Sequence, residues 1–134
     1  MNKRHVAYCV SILLLVSAPL SAENWPQWRG PTLNGATSET NLPTKWSTTE
    51  NVVWKVNLPG IGGSSPIVWE DKIFITAQDT KAEKTYAVCL NRKDGTELWR
   101  HHIGGSYSNR QGNSAASGSP ITDGKSVWFF AGTG

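Results

Sequence analysis

The segment Ser65-Pro66-Ile67, followed by a tight turn and an apolar strand, returns as Ser119-Pro120-Ile121 with the same kind of turn and strand after it, 54 residues later. A chain that repeats one strand–turn–strand unit buries its apolar faces by stacking the copies on one another. A second correspondence, Trp54-Lys55 with Trp99-Arg100, has an offset of 45. The nine extra residues fall in a long polar run before Ser119. A basal period near 45 is the length of a four-stranded propeller blade, about 40 to 50 residues. The expected fold is therefore all-β, a β-propeller of four-stranded antiparallel blades. A plain β-sandwich with chance internal similarity is the alternative.

The local pattern agrees with a sheet class. From Asn51 onward no ten-residue stretch shows the 3.6-residue apolar period of a helix. Residues 52–58 alternate, with Val52, Trp54, Val56 and Leu58 on one face, and predict a half-buried strand. Pro59 to Gly63 interrupt it with three glycines and a proline. Ile67-Val68-Trp69, the pair Glu70-Asp71 and residues 72–77 predict a hairpin with Ile73 and Ile75 on one side and Phe74 and Thr76 on the other. Residues 78–84 are polar and charged and predict a loop. Residues 85–90 predict a strand, 91–95 a turn closed by Asp94-Gly95, and 97–103 a strand carrying Leu98, Trp99 and Ile103. Residues 104–118 are a run of Gly, Ser, Asn, Gln and Ala that predicts a functional or mobile loop. Residues 120–122, the Asp123-Gly124 turn and residues 126–131 predict the hairpin again. All seven Trp and all thirteen Gly lie beyond residue 22, a composition suited to short strands and tight turns.

The first 22 residues predict an export leader. Asn2, Lys3, Arg4 and His5 form a basic head, residues 6–16 an apolar stretch and residues 17–22 a small-residue tail, with the cut expected after Ala22. The apolar stretch is well short of the roughly 20 residues a bilayer core needs. The expected location is periplasmic or secreted, with no membrane span in the mature chain. Cys9 leaves with the leader, so Cys89 has no intrachain disulfide partner and reads as a buried, inert thiol. Without Lys3 and Arg4, eleven basic side chains face ten acidic ones. That balance gives no field for nucleic acid or an anionic membrane.

The expected organisation is a leader over 1–22, a lead-in strap over 23–50 and an incomplete propeller over 51–134. Its first full blade spans about 65–103, and a second blade is cut after two strands. Propellers close with at least four blades, so these residues predict the opening one to two blades of a larger ring, an N-terminal piece not stable by itself.

The run Cys89-Leu90-Asn91-Arg92-Lys93-Asp94-Gly95-Thr96-Glu97-Leu98-Trp99 resembles the repeat of the pyrroloquinoline-quinone-like (PQQ-like) propeller family, Ala-x-Asp-x-x-Thr-Gly-Lys-x-x-Trp. Gly95 and Trp99 match at the family spacing. Cys89 stands for Ala, Asn91 for Asp, Asp94 for Thr and Thr96 for Lys. The physical roles survive these changes: Asn91 and Asp94 can accept turn amides, Gly95 can take a positive φ, and Trp99 can pack between blades. Trp25-Pro26-Gln27-Trp28-Arg29-Gly30-Pro31, Leu42-Pro43, Trp46-Ser47, Asn51-Val52-Val53-Trp54-Lys55 and Gly62-Gly63-Ser64-Ser65-Pro66 are similar to the lead-in of secreted, planctomycete-like members of that superfamily.

The resemblance implies two functions. One is a non-catalytic binding or scaffold module taking a protein, small-molecule or glycan ligand at a propeller face. The other is a PQQ-dependent alcohol or sugar dehydrogenase, with calcium held by carboxylate and amide side chains and often a vicinal cysteine pair. The residues favour the first. No vicinal cysteines occur, and no catalytic residue, cofactor-binding residue or metal ligand is assigned. Adjacent strand residues such as His101 and His102 point to opposite faces and cannot easily share a metal. Glu70, Asp71, Asp79 and Glu83 lack calcium-site spacing. Ser64, Ser65, Ser117 and Ser119 have no identifiable base partner. Gly60, Gly62 and Gly63 precede no helix, so no phosphate-cradling loop is expected. The best candidate surface is the 104–118 loop, with Tyr107, Asn109, Arg110, Gln111 and Asn113. Trp25, Trp28 and Arg29 can stack on a sugar, though a strap packed on the propeller rim explains them more simply.

Overall fold

The computed structural model describes residues 22–107 and 113–133; the expected leader, Ala22 apart, lies outside them. Among the described residues there is no helix, and the strands form two antiparallel sheets, one of four strands and one of two. The class is all-β, as the composition and alternation predict.

The larger sheet grows from the expected hairpin. Strands β1 (Ile67–Trp69) and β2 (Lys72–Asp79) pair with Trp69 opposite Lys72, so Glu70-Asp71 is the whole connection. Two-residue hairpin turns need a left-handed first residue to match the strand twist. Glu70 adopts φ 51°, and its amide donates to Asn24 Oδ1 at 2.7 Å. Strands β3 (Lys84–Asn91) and β4 (Glu97–Gly105) follow, giving a meander in the order β1-β2-β3-β4.

Here the sheet outruns its sequence pattern. The loop expected over 78–84 shrinks to residues 80–83, because Gln78 and Asp79 continue β2 and Lys84 begins β3. Asp79 Oδ1 accepts the amides of Lys81 and Ala82, both at 3.0 Å, and closes the turn. The polarity that suggested a solvated loop belongs to paired strand ends. Likewise Gly104 and Gly105 are ladder residues of β4 opposite Thr85 and Lys84.

Alternation divides the core between the two faces of this sheet. On one face Ile67, Phe74 and Cys89 are buried, with Trp69, Trp99, Val127 and Phe129 packed over them. On the other Ala77, Val88 and Leu90 are buried beneath Trp54, Leu58, Ile73, Ile75 and Tyr86. Each fully buried aliphatic or aromatic side chain contributes roughly 1.5–3 kcal/mol, so the sheet needs a chain layer on both sides.

The layer on the first face is the repeated unit. Strands β5 (Ile121–Thr122) and β6 (Val127–Trp128) pair Ile121 with Trp128 and Thr122 with Val127. In the first sheet Ile67 pairs with Phe74 and Val68 with Ile73. Every one of these residues is displaced by 54, so the sequence offset is also a ladder register. The strand expected over 126–131 is a ladder only at Val127–Trp128. Beyond it, Phe129 turns its ring onto Phe74 and Trp99, at centroid distances of 6.4 and 6.0 Å.

The second face is covered by residues 52–58, and here the expected strand is not formed. That segment has no ladder partner; it crosses the face, packing Trp54 and Leu58 against the cluster of Ala77, Val88 and Leu90 while Val53 stays 89% exposed. Alternation picked out Trp54 and Leu58, though Val52 and Val56 stay exposed; a strand also requires an open edge beside it, and this segment lies over a face.

Three indoles of this structure rest on left-handed glycines, the first being Trp25 on Gly30, which has φ 76°. Gly95 has φ 75°, and a Cβ there would fall 2.6 Å from Trp54 Cε3; Gly124 has φ 88°, and its Cβ would fall 2.4 Å from Trp69 Cζ2. Trp54 Nε1 also donates to the Arg92 carbonyl at 2.9 Å, binding segment 52–58 to the turn before β4. That turn closes as its residues predict: Asn91 Oδ1 accepts the Lys93 amide at 2.8 Å and Asp94 Oδ1 the Thr96 amide at 2.9 Å. In the second unit Asp123 Oδ1 accepts the amides of Ser126 and Lys125.

Those amides hold both carboxyls below the usual carboxylate range, the Thr96 amide acting chiefly on Asp94 and the Ser126 amide on Asp123. A depressed folded value means the turn stabilisation is complete above the ordinary carboxylate value, near ~3.9, and is lost as pH falls through the lower folded value. Amide exchange at Thr96 and Ser126, corrected for intrinsic rates, is expected to accelerate below about pH 4. Unchanged protection down to pH 2 would show that these carboxylates do not hold the turns.

The lead-in strap enters between the sheets. Trp25 exchanges both backbone bonds with Val68, at 2.7 and 2.9 Å, and the Thr122 amide donates to the Pro26 carbonyl at 2.9 Å. Residues 24–26 therefore touch β1 and β5 at once. Apart from half-buried Glu39, residues 31–53 are exposed.

Candidate binding surface

The candidate loop over 104–118 is rooted on a residue that sequence polarity had placed in a different loop. Gln78 is fully buried in β2, on the face toward the second unit. Its Oε1 accepts the Ala115 amide at 2.7 Å and the Tyr107 amide at 3.2 Å. The two ends of the excursion thus converge on one oxygen. The Ala115 amide also reaches the Tyr107 carbonyl at 3.3 Å, and the Gly132 amide donates to the Ala115 carbonyl at 2.8 Å.

The C-terminal half of the expected loop is consequently not a mobile surface. Ser114, Ala115 and Ala116 are buried, and the Ala116 carbonyl accepts the Ser64 amide at 3.0 Å. Tyr107 is 41% exposed at the rim of the excursion, and Asn113 is exposed. Asn109, Arg110 and Gln111 lie outside the described residues. A signal for Gln78 was present: it continues the alternation Phe74, Thr76, Gln78, one residue past the point where polarity suggested the strand should stop.

Replacing Gln78 with methionine keeps the volume and removes the acceptor, leaving the Ala115 and Tyr107 amides without it. An unsatisfied buried donor costs about 1–3 kcal/mol. Because the Ala115 amide keeps the Tyr107 carbonyl and Gln78 Nε2, unpartnered among the described residues, is removed as well, the Gln78→Met protein is expected to lose about 1 kcal/mol, with the largest gain in amide exchange at Ala115. Exchange at Ala115 equal to wild type would show that the clamp does not hold the loop.

The other sequence candidates are dispersed by the fold. His101 stacks beside Trp99 at 5.1 Å on one face, and His102 lies 6.1 Å from Tyr86 on the other, so the two imidazoles are separated by the sheet. Ser64 Oγ accepts the Thr76 amide at 3.3 Å, Ser119 Oγ the Ser65 amide at 2.9 Å, and Ser117 Oγ donates to the Ser114 carbonyl at 2.8 Å. Of these hydroxyls, that of Ser119 joins the two repeats, through the backbone of its equivalent Ser65. Glu70 and Asp71 sit at one end of β2, and Asp79 and Glu83 at the other. Among the described residues no three His, Cys, Asp or Glu side chains come together as a metal site would need. Gly60 and Gly62 have a packing role: a Cβ would fall 1.9 Å from the Gln78 carbonyl oxygen at Gly60 and 3.0 Å from those of Thr76 and Ala116 at Gly62.

Cys89 is buried on β3, and burial pushes its thiol above the ordinary value against a smaller opposing pull from Lys72. A raised thiol is a poor nucleophile at neutral pH. Trp25 pairs with β1 and is half buried, whereas Trp28 is 60% exposed with the Arg29 guanidinium 5.6 Å above its ring. On the face under segment 52–58 an apolar groove of about 340 Å³ is lined by Trp54, Val56, Leu58, Ile73, Ile75 and Leu90, with Lys55 beside them. Lys55 is the one ionisable side chain in its lining. No family model, curated protein or solved structure matches the chain.

Proposed function

We propose that the chain is the opening sector of an exported PQQ-like β-propeller that works as a non-catalytic binding or scaffold module. The observation that supports it best is the 54-residue ladder register: Ile67 opposite Phe74 becomes Ile121 opposite Trp128. The second unit sits on the face of the first through Phe129 on Phe74 and Trp99. A unit that covers its predecessor and repeats its register is how blades add around a ring. In this reading Trp54 on the turn of residues 91–96 is the same relation one blade earlier, and the 104–118 excursion is a ligand-facing loop at one end of the ring. Serines given over to backbone bonding, and histidines held on opposite faces, suit a scaffold.

The test is to add PQQ and calcium to the exported protein, record the cofactor spectrum, and assay dye reduction over a panel of alcohols and sugars. In parallel the protein is passed over glycan and peptide arrays, with Tyr107→Ala as the comparison. No dye reduction, together with array binding that Tyr107→Ala weakens, is the expected result. Turnover of any alcohol or sugar overturns the non-catalytic reading. Array binding indifferent to Tyr107 overturns the assignment of the loop.

A further inference from the structure

The first described residues make a compact polar knot where the leader is expected to end. The Glu23 backbone nitrogen donates to Glu39 Oε1 at 2.5 Å. Thr37 Oγ1 donates to Glu23 Oε2 at 2.7 Å and accepts the Glu39 amide at 3.1 Å. Thr37 thus holds the Glu23 carboxylate and the Glu39 backbone, while the Glu39 carboxylate takes the Glu23 nitrogen. Among the described residues the ion pair is Arg100 with Glu97, so no described lysine or arginine answers either Glu23 or Glu39. Both glutamates are half buried, where a carboxylate gains more from a neighbouring cation than at an open surface.

From this knot the chain runs directly into the strap. Asn24 holds the Glu70 amide of the β1–β2 turn, Trp25 pairs with Val68 of β1, and Pro26 takes the Thr122 amide of β5. The residue at the head of a two-sheet clasp is therefore the residue expected to follow the leader.

We propose that removal of the leader after Ala22 completes this clasp, the new α-ammonium of Glu23 pairing with the Glu39 carboxylate and locking residues 24–26 across β1 and β5. This rests on the export reading above. The step is a hydrolysis by a leader-removing endopeptidase. One water is added across the Ala22–Glu23 peptide bond, its hydroxyl going to the Ala22 carbonyl carbon and a proton to the Glu23 nitrogen. A second proton from solvent gives the ammonium, because an α-amine has an ordinary pKa of about 7.7–8.0. A neutral amide donor becomes a cation at the same position, so a hydrogen bond from a dipole to a carboxylate becomes an ion pair. Processing thereby supplies the positive charge that the two glutamates lack, and it does so only after export.

The experiment uses the exported chain, whose intact mass identifies its first residue. One portion is acetylated near pH 6.5, where α-amines react and lysines stay protonated; acetylation restores the neutral amide present in the precursor. Hydrogen exchange is then followed at Trp25 and Val68. The free amine is expected to slow exchange at both by about fivefold relative to the acetylated chain. Glu39→Gln is expected to exchange at the acetylated rate before and after acetylation. A first residue other than Glu23 overturns the proposal at its cleavage step and is read from the mass alone. Equal exchange in the free and blocked forms, whether both protected or both open, overturns the clasp itself. So does a difference that survives Glu39→Gln.

Discussion

Gly95→Ala will lower stability by about 3 kcal/mol, through two costs that add at one atom. A residue with a Cβ held in the left-handed region costs roughly 1–2 kcal/mol. The new methyl would also lie 2.6 Å from Trp54 Cε3 and 2.9 Å from Cδ2, so the indole must lift, surrendering its hydrogen bond to the Arg92 carbonyl, which contributes about 1 kcal/mol. In urea unfolding followed by tryptophan emission the midpoint should fall accordingly. The decisive comparison is the same substitution in a Trp54→Ala background. There the steric part is gone, and only the backbone cost of about 1–2 kcal/mol should remain. An identical loss in both backgrounds would mean that the indole does not rest on this turn.

Phe74→Ala should cost more, about 3–5 kcal/mol. Phe74 is 5% exposed and joins the two units, with Trp99 at 6.0 Å and Phe129 at 6.4 Å. Its removal leaves a hole between β2 and the second unit that neither neighbouring ring can fill without leaving the other. Phe74→Leu keeps most of the volume and should cost about 1 kcal/mol. The pattern of damage matters as much as its size: amide exchange at Thr122 should rise with that at Ile67, because both units share this contact. A loss confined to the first sheet would show that the repeats are merely adjacent.

What the sequence reveals of this fold is what depends on near neighbours. The Glu70-Asp71 hairpin, the 91–96 turn and the 54-residue offset are all written in short patterns, and the ladders reproduce them. The misses share a cause of the opposite kind. Residues 52–58 alternate like a strand, yet lie across a face where no edge is offered. Gln78 is as polar as the loop residues after it, yet distant partners, Ile61, Tyr107 and Ala115, make a buried strand position of it. Ser114, Ala115 and Ala116 look like any small-residue linker until Ser64, Gln78 and Gly132 are brought against them. The site was legible only as a stretch of chain; that it hangs from one amide oxygen was not. His101 and His102 were readable in advance because the two-residue period of a strand decides the issue locally.

The convergence of Tyr107 and Ala115 on Gln78 Oε1 brings the exit and the re-entry of that excursion to one point of the sheet. With exit and re-entry anchored at one atom, the intervening span closes a circuit whose ends are already together, and doubling the length of such a span costs only about 0.6 kcal/mol. Insertions between Tyr107 and Ala115 are therefore expected to leave the two ladders in their alignment.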